Sequence, residues 1–285
     1  MGQHLAQATQ LLRSAGVENA QTDARRLFCH VLGVDRTSLW RDADRPISVD
    51  DAAAYARLVD RRAAREPLSH LLGEVGFWTL DLRVTPDVLT PRPDSETVVE
   101  AVLAHLPKAP PALRVLDLGT GSGCLLLALL SALPEAWGVG VDRSQAALAV
   151  ARDNAARHHL AARCGFVCAD WLAPMRGRFD VVVSNPPYIK RTDLGALEPE
   201  VARHEPHSAL DGGIDGLDAY RALTATVPAH LEPGGLLAFE VGFDQAQAVA
   251  LMCERIGLVP IEIRRDLAGI ERCVLATQPG PQRGK

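Results

Sequence analysis

Val115-Leu116-Asp117-Leu118-Gly119-Thr120-Gly121-Ser122-Gly123 joins an aliphatic run to the almost wholly apolar segment Cys124 to Leu133. A short aliphatic run, a glycine-dense turn and an apolar stretch of helical length predict a buried strand, a loop that lets backbone approach a ligand closely, and a covering helix. Working outward from Arg114, apolar runs recur at Arg114–Leu118, Trp137–Val141, Gly165–Ala169, Phe179–Val183, Leu236–Val241, Pro260–Arg264 and Arg272–Ala276. Helical periodicity falls between them at 122–133, 144–157, 216–229 and 244–256. Strands alternating with helices predict an α/β fold: a seven-stranded, mostly parallel, Rossmann-like sheet covered on both faces.

Upstream the pattern differs. From Gln3 to about Arg65 apolar residues recur at helical spacing, as in Leu5, Ala8, Leu11 and Leu12. Gly16 and Gly33 stand where C-terminal stops belong, and Thr22 and Ser48 where N-caps belong. The aromatic and β-branched run from Val75 to Val84 predicts a hairpin. The chain therefore divides into a small N-terminal helical bundle at 1–73, a β-hairpin linker at 74–88 and an α/β domain at 89–285. Pro107 to Pro111 reads as a stiff connection and the residues from Gln278 on as a frayed tail.

Composition narrows the function. Hydrophobic residues make up 47% and charged residues 23% of 285, which excludes collagen-like and disordered classes. The longest apolar run falls far short of a bilayer span. The start of the sequence lacks the pattern of an export signal, so the expected location is cytoplasmic. Thirty basic against 35 acidic residues give a net charge of −5, and neither half is basic, so direct nucleic-acid binding is not expected. Six cysteines without any C-x-x-C pair read as buried thiols, not as disulfides or zinc ligands. His204 and His207 are separated by a helix-breaking proline, Pro206, and no metal site is expected.

The loop chemistry favours one class of ligand. The second strand ends in Asp142, a carboxylate placed to accept from ribose hydroxyls. Asp117, at the end of the first strand, would repel pyrophosphate but could accept from an α-amino group. S-adenosylmethionine carries an amino group, a ribose diol and no phosphate, so it suits this loop better than a dinucleotide. Asp170 and Trp171 end the third strand; they read either as contacts to an adenine or as a turn acid and a packing aromatic.

The fourth strand leads into Asn185-Pro186-Pro187-Tyr188. Two prolines restrict the backbone and remove two donors, so the segment offers acceptors. The Asn185 side-chain carbonyl and the Pro186 carbonyl could each accept one hydrogen of a planar NH2 group, with Tyr188 as a flat surface beside it. Hydrogen bonds that strengthen as positive charge develops on nitrogen favour the transition state over the ground state.

These two elements resemble the class I S-adenosylmethionine-dependent methyltransferases of planar NH2 groups. Further stretches are similar to the HemK/PrmC family, the glutamine N5-methyltransferases of peptide-chain release factors. They are Leu89-Thr90-Pro91-Arg92-Pro93-Asp94-Ser95-Glu96, the segment Glu205 to Asp218, Glu240-Val241-Gly242-Phe243-Asp244-Gln245, and Asp266 to Arg272. The resemblance implies S-adenosylmethionine contacts at Gly119, Thr120, Gly121, Ser122, Gly123, Asp142, Trp171 and Asn185, beside Asp117 and Asp170, which are expected as cofactor contacts from their own chemistry. It implies glutamine contacts at Asn185, Pro186, Pro187 and Tyr188, with catalysis at Asn185, Pro186 and Tyr188. The bundle, with its separate helical pattern and no chemical motif, is expected to dock the substrate, and the resemblance implies class I release factors as the partner. Arg92, Asp94 and Glu96 read equally as the first turn of a helix or as residues near the cofactor or the incoming peptide. The alternatives are a ribosomal-protein glutamine methyltransferase, a nucleic-acid amino methyltransferase and a pure binding module.

Overall fold

The computed structural model describes residues 1–35, 37, 46–107, 112–173 and 175–280. The expected linker at Pro107 to Pro111 and the end of the expected tail lie largely outside them. The described chain forms two compact units, one of residues 1–74 with 198–204 and the other of 75–197 with 205–285.

The first unit is built from α1 (Gly2–Ser14), α2 (Ala20–Leu32), α3 (Val49–Ala63) and α4 (Leu68–Leu72). Ser48 caps α3, its hydroxyl accepting from Asp51 N at 3.0 Å, and Gly33 closes α2 in the left-handed region at φ 61°. Thr22 is not a cap: α2 starts at Ala20, which places Thr22 inside its first turn. Leu12, Leu27, Phe28, Tyr55 and Val59 form the core, with Phe28 and Tyr55 packed edge to face at 4.6 Å. A helix outside the expected bundle belongs to this unit, the segment Pro199–His204. Its Glu200 accepts from Arg62 at 2.9 Å and from Arg65 through both oxygens at 2.6 Å.

The hairpin forms from β1 (Glu74–Phe77) and β2 (Leu80–Arg83). The second unit then holds α5 (Glu96–His105), β3 (Arg114–Leu118), α6 (Cys124–Ala132), β4 (Trp137–Asp142), α7 (Gln145–Arg157), β5 (Cys164–Cys168) and β6 (Phe179–Ser184). After α8 (Pro199–His204) come α9 (Asp218–Thr224), β7 (Leu231–Glu240), α10 (Ala246–Arg255), β8 (Val259–Arg265) and β9 (Glu271–Thr277). The seven strands order as β5-β4-β3-β6-β7-β9-β8, with β9 antiparallel to both neighbours and every other neighbouring pair parallel.

Successive strand residues face opposite sides of the sheet, so each strand feeds two cores. Val115, Val181 and Leu275 pack with α5 and α6, while Leu116, Val182 and Phe239 pack with α9 and α10. Six consecutive buried residues, Leu125 to Leu130, make α6 apolar all round. Gly138 on β4 gives it room, because a Cβ there would lie 2.6 Å from Leu126 Cδ1 and 2.8 Å from Val115 O.

Two boundaries depart from expectation. The helix expected at 216–229 ends at Thr224 and is followed by a 3-10 turn at Val227–His230, where Pro228 lacks the donor a continuing helix needs. Strand β7 starts at Leu231, which pairs with Phe179 across a register shift. The expectation that all six cysteines are buried holds for Cys253 and Cys273 and fails at Cys168, which is exposed because β5 is an edge strand.

Candidate active site

The carboxyl ends of β3, β4, β5 and β6 open onto one cavity, the place where parallel sheets of this kind bind ligands. Asp117, Asp142, Asp170 and Asn185 stand there, one per strand end.

Asp117 is enclosed. Its Oδ2 accepts from the Thr120 hydroxyl at 2.6 Å and from Leu126 N at 3.3 Å, while Oδ1 has no hydrogen-bond partner. Burial pushes its carboxyl up to about 7, with those two hydrogen bonds opposing the shift. Gly119 N and Thr120 N both donate to Val141 O, at 2.8 and 2.9 Å, which ties the glycine loop to the end of β4. One residue further, Asp142 accepts from Gly121 N at 2.9 Å and from Ser144 N at 2.8 Å. Each carboxylate oxygen has a second lone pair, so these contacts leave acceptor capacity.

The glycines of the loop do different work. Gly119 and Gly121 line the cavity, at φ 74° and 55°. Gly123, at φ 84°, starts α6 outside the cavity lining, and a Cβ there would stand 3.1 Å from the Leu127 side chain. Ser122 and Thr120 line the cavity, as do Asp170 and Trp171. Trp171 holds φ 50°, a left-handed setting that costs a bulky residue roughly 1 kcal/mol or more. Its ring comes within 3.5 Å of where a Cβ on Gly119 would stand, so the aromatic closes over the loop.

The tetrapeptide follows β6, whose last residue, Ser184, donates its hydroxyl to Leu118 O at 2.6 Å and so locks the ends of β3 and β6 together. Asn185 and Pro187 line the cavity; Pro186 and Tyr188 do not. Asn185 Nδ2 donates to Ser95 Oγ at 3.3 Å, leaving Oδ1 as an acceptor. The Tyr188 hydroxyl donates to Glu240 Oε1 at 3.4 Å, and burial pushes that phenol up.

Residues to which the sequence assigned no separate task hold this segment. Gln245 donates to Tyr188 O at 2.9 Å and to Gly216 O at 3.2 Å, and accepts from Gly242 N at 3.0 Å. Gly212 lies so close that a Cβ on it would meet the Tyr188 backbone at 2.8 Å. The signal for both was their place in the quoted segments Glu205 to Asp218 and Glu240 to Gln245. Glu240 itself is buried, and burial pushes it up to about 7, with Ser95, Arg272 and Tyr188 opposing.

The leader of α5 divides its labour. Arg92 lines the cavity and donates to the buried Glu205 at 2.9 Å. Asp94 faces Arg272 at 3.5 Å, and Glu96 accepts from Trp78 N at 2.7 Å, fixing the hairpin turn. Among the described residues no group of three or more His, Cys, Asp or Glu could hold a metal ion, and no helix is long and apolar enough to cross a membrane.

The fold and the strand-end cavity define a methyltransferase: residues 93–202 match the methyltransferase small domain, and residues 3–73 match the PrmC N-terminal domain. A methyltransferase from Pyrococcus furiosus shares the fold at 17% identity and a TM-score of 0.52, covering 70% of this chain and 89% of its own. Relatives named release factor glutamine methyltransferase are similar over nearly all of the chain. The one from Rhodospirillum rubrum is 50% identical over 97% of this chain and 84% of its own length. That of Cereibacter sphaeroides is 44% identical over 96% of this chain and 97% of its own. The chain belongs to the release factor glutamine methyltransferase family.

Proposed function

We propose that this enzyme transfers a methyl group from S-adenosylmethionine to the side-chain amide nitrogen of the glutamine in the Gly-Gly-Gln motif of class I peptide-chain release factors. The observation that carries the reading is the presence of Asn185 and Pro187 in the same cavity as the Asp117–Asp142 loop. The cofactor fits the residues present. A buried carboxylate oxygen without a partner, Asp117 Oδ1, suits a cationic amino group. Asp142 retains lone pairs for a ribose diol, Asp170 can accept from an adenine amino group, and Trp171 offers a ring to pack against it. When bound, S-adenosylmethionine supplies a methyl group already activated by its sulfonium.

The chain's own task is to orient a poor nucleophile. An amide nitrogen delocalises its lone pair, and two acceptors, Asn185 Oδ1 in the cavity and the carbonyl of Pro186, next in the chain though outside the cavity lining, can draw its hydrogens out of the amide plane and so free the lone pair. Those bonds strengthen as the nitrogen becomes cationic, and its proton can then pass to solvent. The helical unit serves docking of the protein substrate, and the same reading puts the enzyme where release factors act, in the cytoplasm. Incubation with methyl-labelled cofactor and release factor, ribosomal protein or DNA tests it: label on the release-factor glutamine is expected, and label on either of the others instead overturns it.

A further inference from the structure

Both ends of the tetrapeptide meet enclosed partners to which methyl transfer as described gives no task. Ser95, 1% exposed at the end of the 3-10 turn Pro93–Ser95, accepts from Asn185 Nδ2 at 3.3 Å. Glu240, 1% exposed on β7 beside β6, accepts from the Tyr188 hydroxyl at 3.4 Å. The second oxygen of that carboxylate has no hydrogen-bond partner, and Arg272 supplies a nearby cation.

An asparagine amide has two settings of nearly equal shape, related by a half-turn about its last torsion. One presents Oδ1 to the substrate and can accept a hydrogen; the other presents Nδ2 and repels an NH2 group. A serine hydroxyl has one proton. Here its oxygen accepts from Nδ2, which holds the amide in the setting that leaves Oδ1 for the substrate. Tyr188, tied to Glu240, fixes the far end of the segment.

We infer that Ser95 is a positioning residue that sets the Asn185 amide with its oxygen toward the methyl-accepting NH2 group before substrate arrives. This rests on the proposed function, since it needs an NH2 substrate. The test is single-turnover methylation of intact release factor together with cofactor affinity by calorimetry. Ser95→Ala is expected to slow transfer about tenfold, the effect of one neutral hydrogen bond, with cofactor affinity within twofold of wild type. Ser95→Thr, which keeps the hydroxyl, is expected within threefold of wild type. In an Asn185→Ala background, Ser95→Ala is expected to add less than twofold, because the group it orients is gone. If Ser95→Ala lowers the thermal midpoint so far that it is unfolded at the assay temperature, Ser95→Cys is read in its place, since its thiol is a weak acceptor of similar size. The inference is overturned by an alanine variant within twofold of wild type, by a threonine variant as slow as alanine, or by losses that multiply in the double variant. Wild-type enzyme that leaves the release factor unmethylated overturns the proposed function and this inference with it.

Discussion

At the scale of single residues the proposed reaction rests on Asn185 and Asp117, each through an atom its neighbours leave free. Replacing Asn185 by Ala keeps both prolines but removes one of two acceptors. Transfer is then expected to slow roughly 100- to 1,000-fold, as for loss of one preorganised donor at an oxyanion, with a much smaller effect on cofactor affinity. A single-turnover rate within threefold of wild type would remove Asn185 from the mechanism. Asp117 gives a pH signature. Its carboxyl is pushed up to about 7, so the folded protein holds a proton that the unfolded chain releases near 3.8. The sign follows: Asp117 contributes stability below its unfolded value, and that contribution is lost as pH rises toward 7. A cationic amino group favours the ionised form, so cofactor binding should release a proton at pH 6 and tighten from pH 6 to 8. Calorimetry in two buffers of different ionisation heat measures that proton, and Asp117→Asn should abolish its release. Equal proton release by both proteins would show that another group titrates.

Among elements, the short helix Pro199–His204 is the one whose stability depends most plainly on charge. Burial alone would raise Glu200, but hydrogen bonds from Arg65 and Arg62 outweigh it and hold the carboxyl at about 2. A depressed carboxylate stabilises the fold above its unfolded value of 4.5, and that stabilisation is lost as pH falls toward 2. Glu200→Gln is expected to cost about 2 kcal/mol at pH 7, less than a fully enclosed pair because one of its two partners, Arg65, is partly exposed. It should also flatten the acid limb of the stability curve. Denaturant midpoints across pH 3 to 7 check both, and parallel curves for the two proteins would refute the assignment. The sheet elements were legible because their patterning is continuous: Leu116, Val182 and Phe239 sit in aliphatic runs that read as buried strands. Helix Pro199–His204 was not, since six polar-rich residues carry no periodicity and gain their helix from partners distant in sequence. Thr22 misled for a related reason: a capping residue type marks a boundary only where the backbone leaves the helix, and here it does not.

For the whole molecule, the proposed function gives the two units separable tasks. Removing residues 1–73 is expected to leave cofactor affinity within about threefold while cutting methylation of intact release factor by tenfold or more, the loss of about 1.4 kcal/mol of docking. The truncation also strips Glu200 of both arginine partners, so affinity and thermal unfolding are measured on the same sample. Full activity of a folded truncation would move docking elsewhere. From residue order alone came the parallel sheet, the glycine loop with Asp117 and Asp142, and the Asn185–Tyr188 segment, because periodicity and short motifs are local properties. What only tertiary structure decided is how those acceptors are held: Ser95 against Asn185, Glu240 against Tyr188, and Gln245 bridging three segments. These partners lie 90, 52 and 57 residues apart in sequence. No local pattern encodes a hydrogen bond across such a span. Its formation depends on the sheet bringing strand ends together and on burial leaving each polar group no water to turn to.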